Sequence, residues 1–228
     1  MSMQIGIIVA DDGEFNPLVE KIGKREAVDY FGRDGYSFVA GDIKALVLHC
    51  GIGKVNAAAA AMYLYSKGCN VILNYGYSGG ISGVKKGDVV ISDRFLEHDF
   101  DLTCLGYRPC EKPAQEYIYN ADEELMALLG EIYPTAKKGL AVSGDCFISN
   151  DDLRNKMKNQ FGAVSCDMET AAIASVCYQT GMRFASIRQI SDDAGNDAKD
   201  SYASVAYSGD IEPVDGLLAL IQKLSERK

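Results

Sequence analysis

The sequence has no tryptophan and only two histidines, His49 and His98, in 228 residues. So few imidazoles leave little for a histidine-based metal site, and a Ser-His-Asp triad would have to use one of these two. Seven cysteines are scattered along the chain, and no two stand in the C-x-x-C spacing of a zinc or redox site. Most sit in apolar company, as reduced core thiols do, so a reducing cytoplasm is the expected compartment. No apolar run approaches the roughly 20 residues of a membrane helix. Residues 1–10 lack the basic segment that opens a signal peptide. Long basic runs are missing too: 23 Lys and Arg stand against 32 Asp and Glu, a net charge of -9. An acidic chain repels phosphate backbones and anionic lipid, which argues against nucleic-acid and membrane partners.

What is present suits one α/β domain over residues 1–228. Hydrophobic residues make up 47%, enough to fill a sizeable core. No Pro/Gly/Ser linker, internal repeat or low-complexity segment interrupts the chain. Residues 4–10 read as a buried strand, and Phe15, Leu18, Val19 and Ile22 follow at helical spacing. Strand-like runs at 36–41 and 43–50 precede an Ala-rich helix over 55–66. A strand at 71–75 breaks at Gly76, and another covers 87–93. A long mixed excursion, 96–120, leads to a helix over 121–132. Then come a strand at 139–144, helical text from Asn150, a helix over 167–180, a strand over 183–190 and a closing helix over 213–224. This alternation predicts a central mixed, largely parallel sheet flanked by helices.

In open α/β sheets ligands bind beyond the carboxyl ends of the strands. The residues there are Glu14, the glycine-rich stretch 76–80, the segment 146–148, and Ser191-Asp192, with Glu169 at a helix start. Each also has a plain structural reading. Asp11-x-x-Glu14 fits a capping box. Glu169 falls in the first turn of its helix, where the dipole favours a carboxylate. Ser191-Asp192-Asp193 fits a turn, and Phe147 fits a core. Gly51-x-Gly53 lacks the third glycine of a dinucleotide fingerprint, and Gly53-Lys54-Val55 lacks the Ser/Thr of a P-loop. Packing of helix on sheet is the expected role of these two glycines.

In combination the motifs say more. The markers are Ile5-Gly6-Ile7-Ile8 with Glu14, Gly51-Ile52-Gly53-Lys54-Val55-Asn56-Ala57 and Asn74-Tyr75-Gly76-Tyr77-Ser78-Gly79-Gly80. They continue through Gly87-Asp88-Val89-Val90-Ile91-Ser92-Asp93, His98-Asp99-Phe100-Asp101-Leu102-Thr103 with Gly106-Tyr107, and Ser143-Gly144-Asp145-Cys146-Phe147-Ile148. Asp167-Met168-Glu169-Thr170-Ala171-Ala172-Ile173-Ala174 and Arg188-Gln189-Ile190-Ser191-Asp192 complete them. With these motifs, in this order and almost end to end, the chain resembles the bacterial 5′-methylthioadenosine/S-adenosylhomocysteine nucleosidases of the nucleoside phosphorylase superfamily.

The resemblance implies hydrolysis of an N-glycosidic bond in methionine salvage, releasing adenine and a thioribose without metal or cofactor. Asp192 matches the acid that protonates N7 of adenine, and Glu14 matches the base that activates water. Glu169 matches the acceptor of the ribose hydroxyls, with Met168 packing on the sugar. Phe147 would stack on adenine, the backbone of Ile148 would read the base edge, and Ser191 would support the Asp192 loop. Tyr77, Ser78 and Gly79 would border the nucleoside, although Tyr77-Ser78 replaces the family's usual Ser-Ala. A homodimer is implied, in which a segment near 98–107 from the neighbouring subunit covers the substrate. Leu102, Leu105 and Tyr107 are its candidate contacts, and the aromatic usual near Leu105 is absent. The stretch 193–210 matches nothing clearly.

Two rivals remain on the sequence. A purine nucleoside phosphorylase, or a nucleosidase for another 5′-modified adenosine, would share the fold. Related phosphorylases carry an Arg where this chain has Asn74 and another near the first strand, where it has Asp11, Asp12 and Glu14. Those acids repel phosphate. A non-catalytic nucleoside binder is the third reading, and it has no need of both an acid and a base.

Overall fold

The protein is described by a computed structural model that covers residues 3–202 and 211–227. Residues 203–210, the end of the acidic stretch that follows Asp192, lie outside the described residues.

The chain opens with β1 (Gln4–Val9), α1 (Asp12–Lys21), β2 (Arg25–Ala27), β3 (Gly35–Ala40), β4 (Ile43–His49) and α2 (Lys54–Ser66). Then come β5 (Val71–Gly80), β6 (Val89–Ile91), β7 (Arg94–Glu97), β8 (Ile118–Asn120), α3 (Glu123–Ile132) and β9 (Leu140–Ser143). The rest is α4 (Asp151–Phe161), β10 (Ser165–Asp167), α5 (Thr170–Thr180), β11 (Arg183–Asp192), α6 (Ala198–Tyr202) and α7 (Pro213–Glu226). Among the described residues eleven strands form one mixed sheet in the order β2-β3-β4-β1-β5-β10-β9-β7-β8, with β11 between β5 and β6. The central pairs β1–β4, β1–β5 and β5–β11 are parallel, as expected.

β1 shows why the sheet lies in the middle. Ile5, Ile7 and Val9 enter a core cluster with Phe15, Leu18, Leu128 and Leu217 from α1, α3 and α7. Ile8 points to the opposite cluster, among Leu64 of α2 and Ile173 of α5. A strand buried on both faces reads as a continuous apolar run rather than an alternating one. α2 lies so close over β1 that a Cβ on Gly6 would stand 2.7 Å from Leu64 and Ile72.

β5 positions the site. Its residues Val71, Ile72, Leu73 and Asn74 pair with β1, and Gly79 and Gly80 pair with β10. Between those junctions, among the described residues, its strand partner is β11 alone. The sheet forks there and leaves a gap. The expected break at Gly76 does not occur: the strand runs on to Gly80, and β11 runs on to Asp192 rather than stopping at Ile190. Pairing with β11 and β10 keeps this stretch extended, and glycine is needed in it because side chains from elsewhere occupy the space its own would take. A Cβ on Gly76 would lie 2.4 Å from Glu14 Oε1 and from Arg188 Nη1, and one on Gly79 would lie 2.9 Å from Cys166 Sγ. The helix expected from residue 167 begins at Thr170, because residues 165–167 form β10 instead. The expected strand at 87–93 shortens to β6, and β7 and β8 frame the excursion after it.

Candidate active site

Asp192 ends β11 and is 2% exposed, yet it lines a cavity of about 480 Å³. Its Oδ1 accepts from the Ala194 amide at 2.8 Å, and its Oδ2 lies 2.7 Å from the Ser191 hydroxyl. That hydroxyl is also 3.2 Å from the Ser78 carbonyl, and its single proton serves one acceptor at a time. Burial pushes the Asp192 carboxyl above the ordinary range, against those two hydrogen bonds. A raised pKa is the direction a proton donor requires.

Glu14 sits in the first turn of α1, where the capping box is real. Asp11 accepts from the Gly13 amide at 2.8 Å, and the Asp11 amide lies 3.3 Å from Glu14 Oε2. The structural reading and the functional one hold together, because the same carboxylate has a second oxygen. Oε1 accepts from the Tyr77 amide at 2.6 Å, across the gap in the sheet. Glu14 is 4% exposed, and burial raises its pKa to about 7. Arg188 and the Tyr77 amide oppose that rise, while Glu169 and Asp11 add to it. A carboxylate with that value is half ionised near neutrality, the range that suits a general base.

Glu169 corrects the sequence reading. It caps α5 from outside the first turn and makes no side-chain cap bond. Asp167 takes that role, accepting from the amides of Glu169 and Thr170 at 3.0 Å each. This frees the Glu169 carboxylate for the cavity, where Oε1 accepts from the Gly53 amide at 2.9 Å. Gly53 holds φ 101°, a conformation that favours glycine. The Gly51-x-Gly53 turn therefore orients a site carboxylate as well as joining strand to helix. Burial raises the Glu169 pKa, and Arg188 opposes the rise.

Arg188 was not singled out from the sequence. It lies inside a quoted motif, but nothing in the sequence says that a residue in the middle of an apolar strand faces the acids. It is 1% exposed, and Nη2 lies 3.3 Å from Asp167 and 3.6 Å from Glu169. Nη1 donates to the Tyr77 carbonyl at 3.2 Å. Tyr77 thus gives its amide to Glu14 and its carbonyl to the guanidinium. Burial pulls the Arg188 pKa down, but Asp167, Glu169 and Glu14 hold it above the usual value.

With this geometry in view, the model of the phosphorylase superfamily matches residues 4–211. The chain belongs to that superfamily. It is 33% identical to a 5′-methylthioadenosine/S-adenosylhomocysteine nucleosidase of an Exiguobacterium species, over 98% of this chain and 100% of the relative. A solved nucleosidase of the same name from Neisseria meningitidis, in complex with methylthio-immucillin-A, superposes with a TM-score of 0.90 at 27% identity. That match covers 97% of this chain and 100% of the other. An S-adenosylhomocysteine nucleosidase from Streptococcus pyogenes, in complex with 5-methylthiotubericidin, gives a TM-score of 0.88 at 26% identity, covering 98% of both chains.

In this superfamily member the cavity also takes Tyr77, Ser78, Gly79, Phe147, Ile148, Met168 and Ser191 among its walls. Leu102, Leu105 and Tyr107 do not line the cavity of their own chain, and Leu105 is 69% exposed. The sequence reading missed Tyr202 of α6, whose ring stands edge-on to Tyr77 at 6.2 Å and to Phe147 at 5.8 Å. Asp11 and Asp167 also face the cavity, and among the described residues Lys199 is the only lysine or arginine on its wall. His98 is not on that wall. It packs against Gly144, where a Cβ would approach within 2.5 Å. Among the described residues no three His, Cys, Asp or Glu side chains group as a metal site.

Proposed function

We propose that this protein hydrolyses the N-glycosidic bond of 5′-methylthioadenosine and S-adenosylhomocysteine, in methionine salvage. The observation that carries the reading is the pair of buried carboxyl groups, Glu14 and Asp192, set along one strand. Glu14 leans on Gly76, and Asp192 Oδ1 lies 3.2 Å from where a Gly79 Cβ would be. Both carboxyls line the one cavity, so a nucleoside held there meets Asp192 and Glu14 at once. Asp192 gives its proton to N7, and the bond to the sugar breaks with its electron pair passing to adenine. Water attacks the anomeric carbon from the opposite face, and Glu14 takes its proton. This is the logic of an inverting sugar hydrolase. Glu169 accepts from the ribose hydroxyls, Met168 packs on the sugar, and Phe147, 47% exposed in the free chain, stacks on the base.

The nucleophile is water rather than phosphate. Asn74 is buried and its bonds turn inward: Nδ2 donates to the Ile8 carbonyl at 2.9 Å, Oδ1 accepts from the Ser186 hydroxyl at 3.3 Å, and Thr170 Oγ1 lies 3.2 Å from the same oxygen. Arg188 is already matched by acids, and an anion beside Glu14 meets like charge. Adenine release should therefore proceed at the same rate with and without added phosphate. Chromatography of the products of both nucleosides decides it. A rate that requires phosphate, with a sugar phosphate as product, would establish a phosphorylase.

The same proposal includes a homodimer. Val55 and Met62 on α2 and Tyr178 on α5 are exposed large hydrophobic side chains, Val55 by 79%, and the two helices pack together. Exposed apolar surface is what a partner subunit would cover. The exposed Leu105 and Tyr107 fit the role of covering a partner's cavity. Val55→Glu should shift sedimentation from dimer to monomer; an unchanged dimer would move the interface elsewhere.

A further inference from the structure

A buried hydroxyl lies behind the site, and nothing in the reaction as described uses it. Thr170, at the first turn of α5, has no exposed surface. Its Oγ1 accepts from Arg188 Nη2 at 2.7 Å and from Arg188 Nε at 3.2 Å. Its own proton points to Asp167 Oδ2, a short contact, with Asn74 Oδ1 at 3.2 Å as the other acceptor. A hydroxyl has one proton and two lone pairs, so all its capacity is spent inside the protein. Asp167 is fixed in turn by the Ser143 hydroxyl at 2.6 Å, and Asn74 by the Ile8 carbonyl. The chain of contacts ties β1, β5, α5 and β11 together beneath Arg188.

The guanidinium is thereby held at three points. Nε and Nη2 rest on Thr170, and Nη1 rests on the Tyr77 carbonyl. The carboxylates of Asp167 and Glu169 supply charge at 3.3 and 3.6 Å, but in this structure Thr170 is the hydrogen-bond acceptor of Nε. A planar fork fixed on one edge has its other edge fixed too. That other edge, Nη1, lies at the glycine gap, where the site of a Gly76 Cβ is 2.4 Å from both Arg188 Nη1 and Glu14 Oε1.

We propose that Thr170 is a positioning residue: its hydroxyl aims Arg188 at Glu14, so that the base and the water it activates face a fixed positive charge. In catalysis this rests on the hydrolytic reading above. In geometry it rests on the distances alone. The groups facing Glu14 are Asp11 on the turn before α1, Cys50 after β4, Tyr75 and Tyr77 on β5, Glu169 at α5, Arg188 on β11 and Tyr202 on α6. Of these, Arg188 is the cation, and it favours the ionised base. If Arg188 loses its aim, the Glu14 carboxyl titrates at higher pH.

The test compares Thr170→Val, which keeps the branched shape and deletes the hydroxyl, with Thr170→Ser, which keeps the hydroxyl. The first readout needs no substrate. The Glu14 carboxyl is titrated by ¹³C NMR in the whole protein, with Glu14→Gln to assign the signal. Thr170→Val should titrate at least half a pH unit above wild type, and Thr170→Ser within a few tenths of it. The second readout is kinetic. Thr170→Val should lose roughly 10- to 100-fold in kcat with little change in KM, as expected for an interaction made in the transition state, and Thr170→Ser should recover most of it. A Glu14 titration unmoved in Thr170→Val overturns the proposal, as does an equal loss in Val and Ser. If the Val variant does not fold, Thr170→Ala against Thr170→Ser carries the same comparison. A wild-type protein that releases no adenine refutes the hydrolytic reading, while the NMR arm still decides the geometry.

Discussion

Asp192→Asn is expected to stop adenine release almost completely while the nucleoside still binds. The amide has nearly the shape of the acid and can keep the Ala194 contact. It can even offer a hydrogen bond to N7, but it has no acidic proton to transfer. Adenine leaves poorly as an anion, so the whole benefit of protonating it is lost. General-acid contributions are typically about 10² to 10⁴-fold, and the loss in kcat should lie at the upper end of that range. Calorimetry with 5′-methylthioadenosine should show an affinity within about tenfold of wild type, since the base, hydroxyl and stacking contacts persist. Turnover within tenfold of wild type would remove Asp192 from the mechanism. Loss of binding together with turnover would make it a structural residue instead.

The second large effect is expected for Glu14→Gln. The amide oxygen can still accept from the Tyr77 amide, so the sheet gap stays closed, but the group cannot take a proton from water. A fall in kcat of about 10² to 10⁴-fold follows. The pH dependence makes the case specific. Glu14 works as a base when ionised, and its ionised fraction grows as pH rises through about 7. Wild-type activity should therefore climb through that region, and the variant's residual activity should not. Stability carries the opposite sign. A carboxyl whose folded pKa is raised binds its proton more tightly when folded, so its stabilising effect is complete below 4.5 and is lost as pH rises to about 7. Glu14→Gln should then melt higher than wild type at pH 8 and about equally at pH 4, by calorimetry. A rising limb that survives the substitution would assign it to another group.

Much of this was legible in the chain. The alternation of strands and helices, the two-sided burial of β1 and the cap at Asp11 follow from local pattern, because periodicity and capping are local physics. The carboxylates Glu14, Glu169 and Asp192 were visible as residues at strand and helix ends. Other features depend on contacts distant in sequence. Gly76 reads as a break, yet the strand runs on to Gly80, and glycine is needed at 76 and 79 because Glu14 and Arg188 fill the space over the first and Cys166 that over the second. Three residues, 165–167, are too few to show a strand period, so β10 passed for the start of a helix. Arg188 is the clearest case. A charged residue in an apolar run announces a buried partner, but not which one, since Asp167 and Thr170 come from two other elements, β10 and α5. Tyr202 was hidden because a five-residue helix has no readable periodicity.

The fork in β5 has one further consequence. Glu14 and Asp192 come from opposite ends of the chain, yet both rest against one strand, at Gly76 and Gly79. The backbone between these glycines acts as a ruler, with a pitch set by covalent geometry rather than by how loops pack. Substitutions at Tyr77 and Ser78 can remodel the wall of the pocket without touching the interval between acid and base. One inserted residue would lengthen that interval by about 3.3 Å and turn the following side chains to the other face. Tolerance of replacement and intolerance of insertion should thus coexist within two adjacent residues, and a lineage could change its nucleoside there while keeping its chemistry.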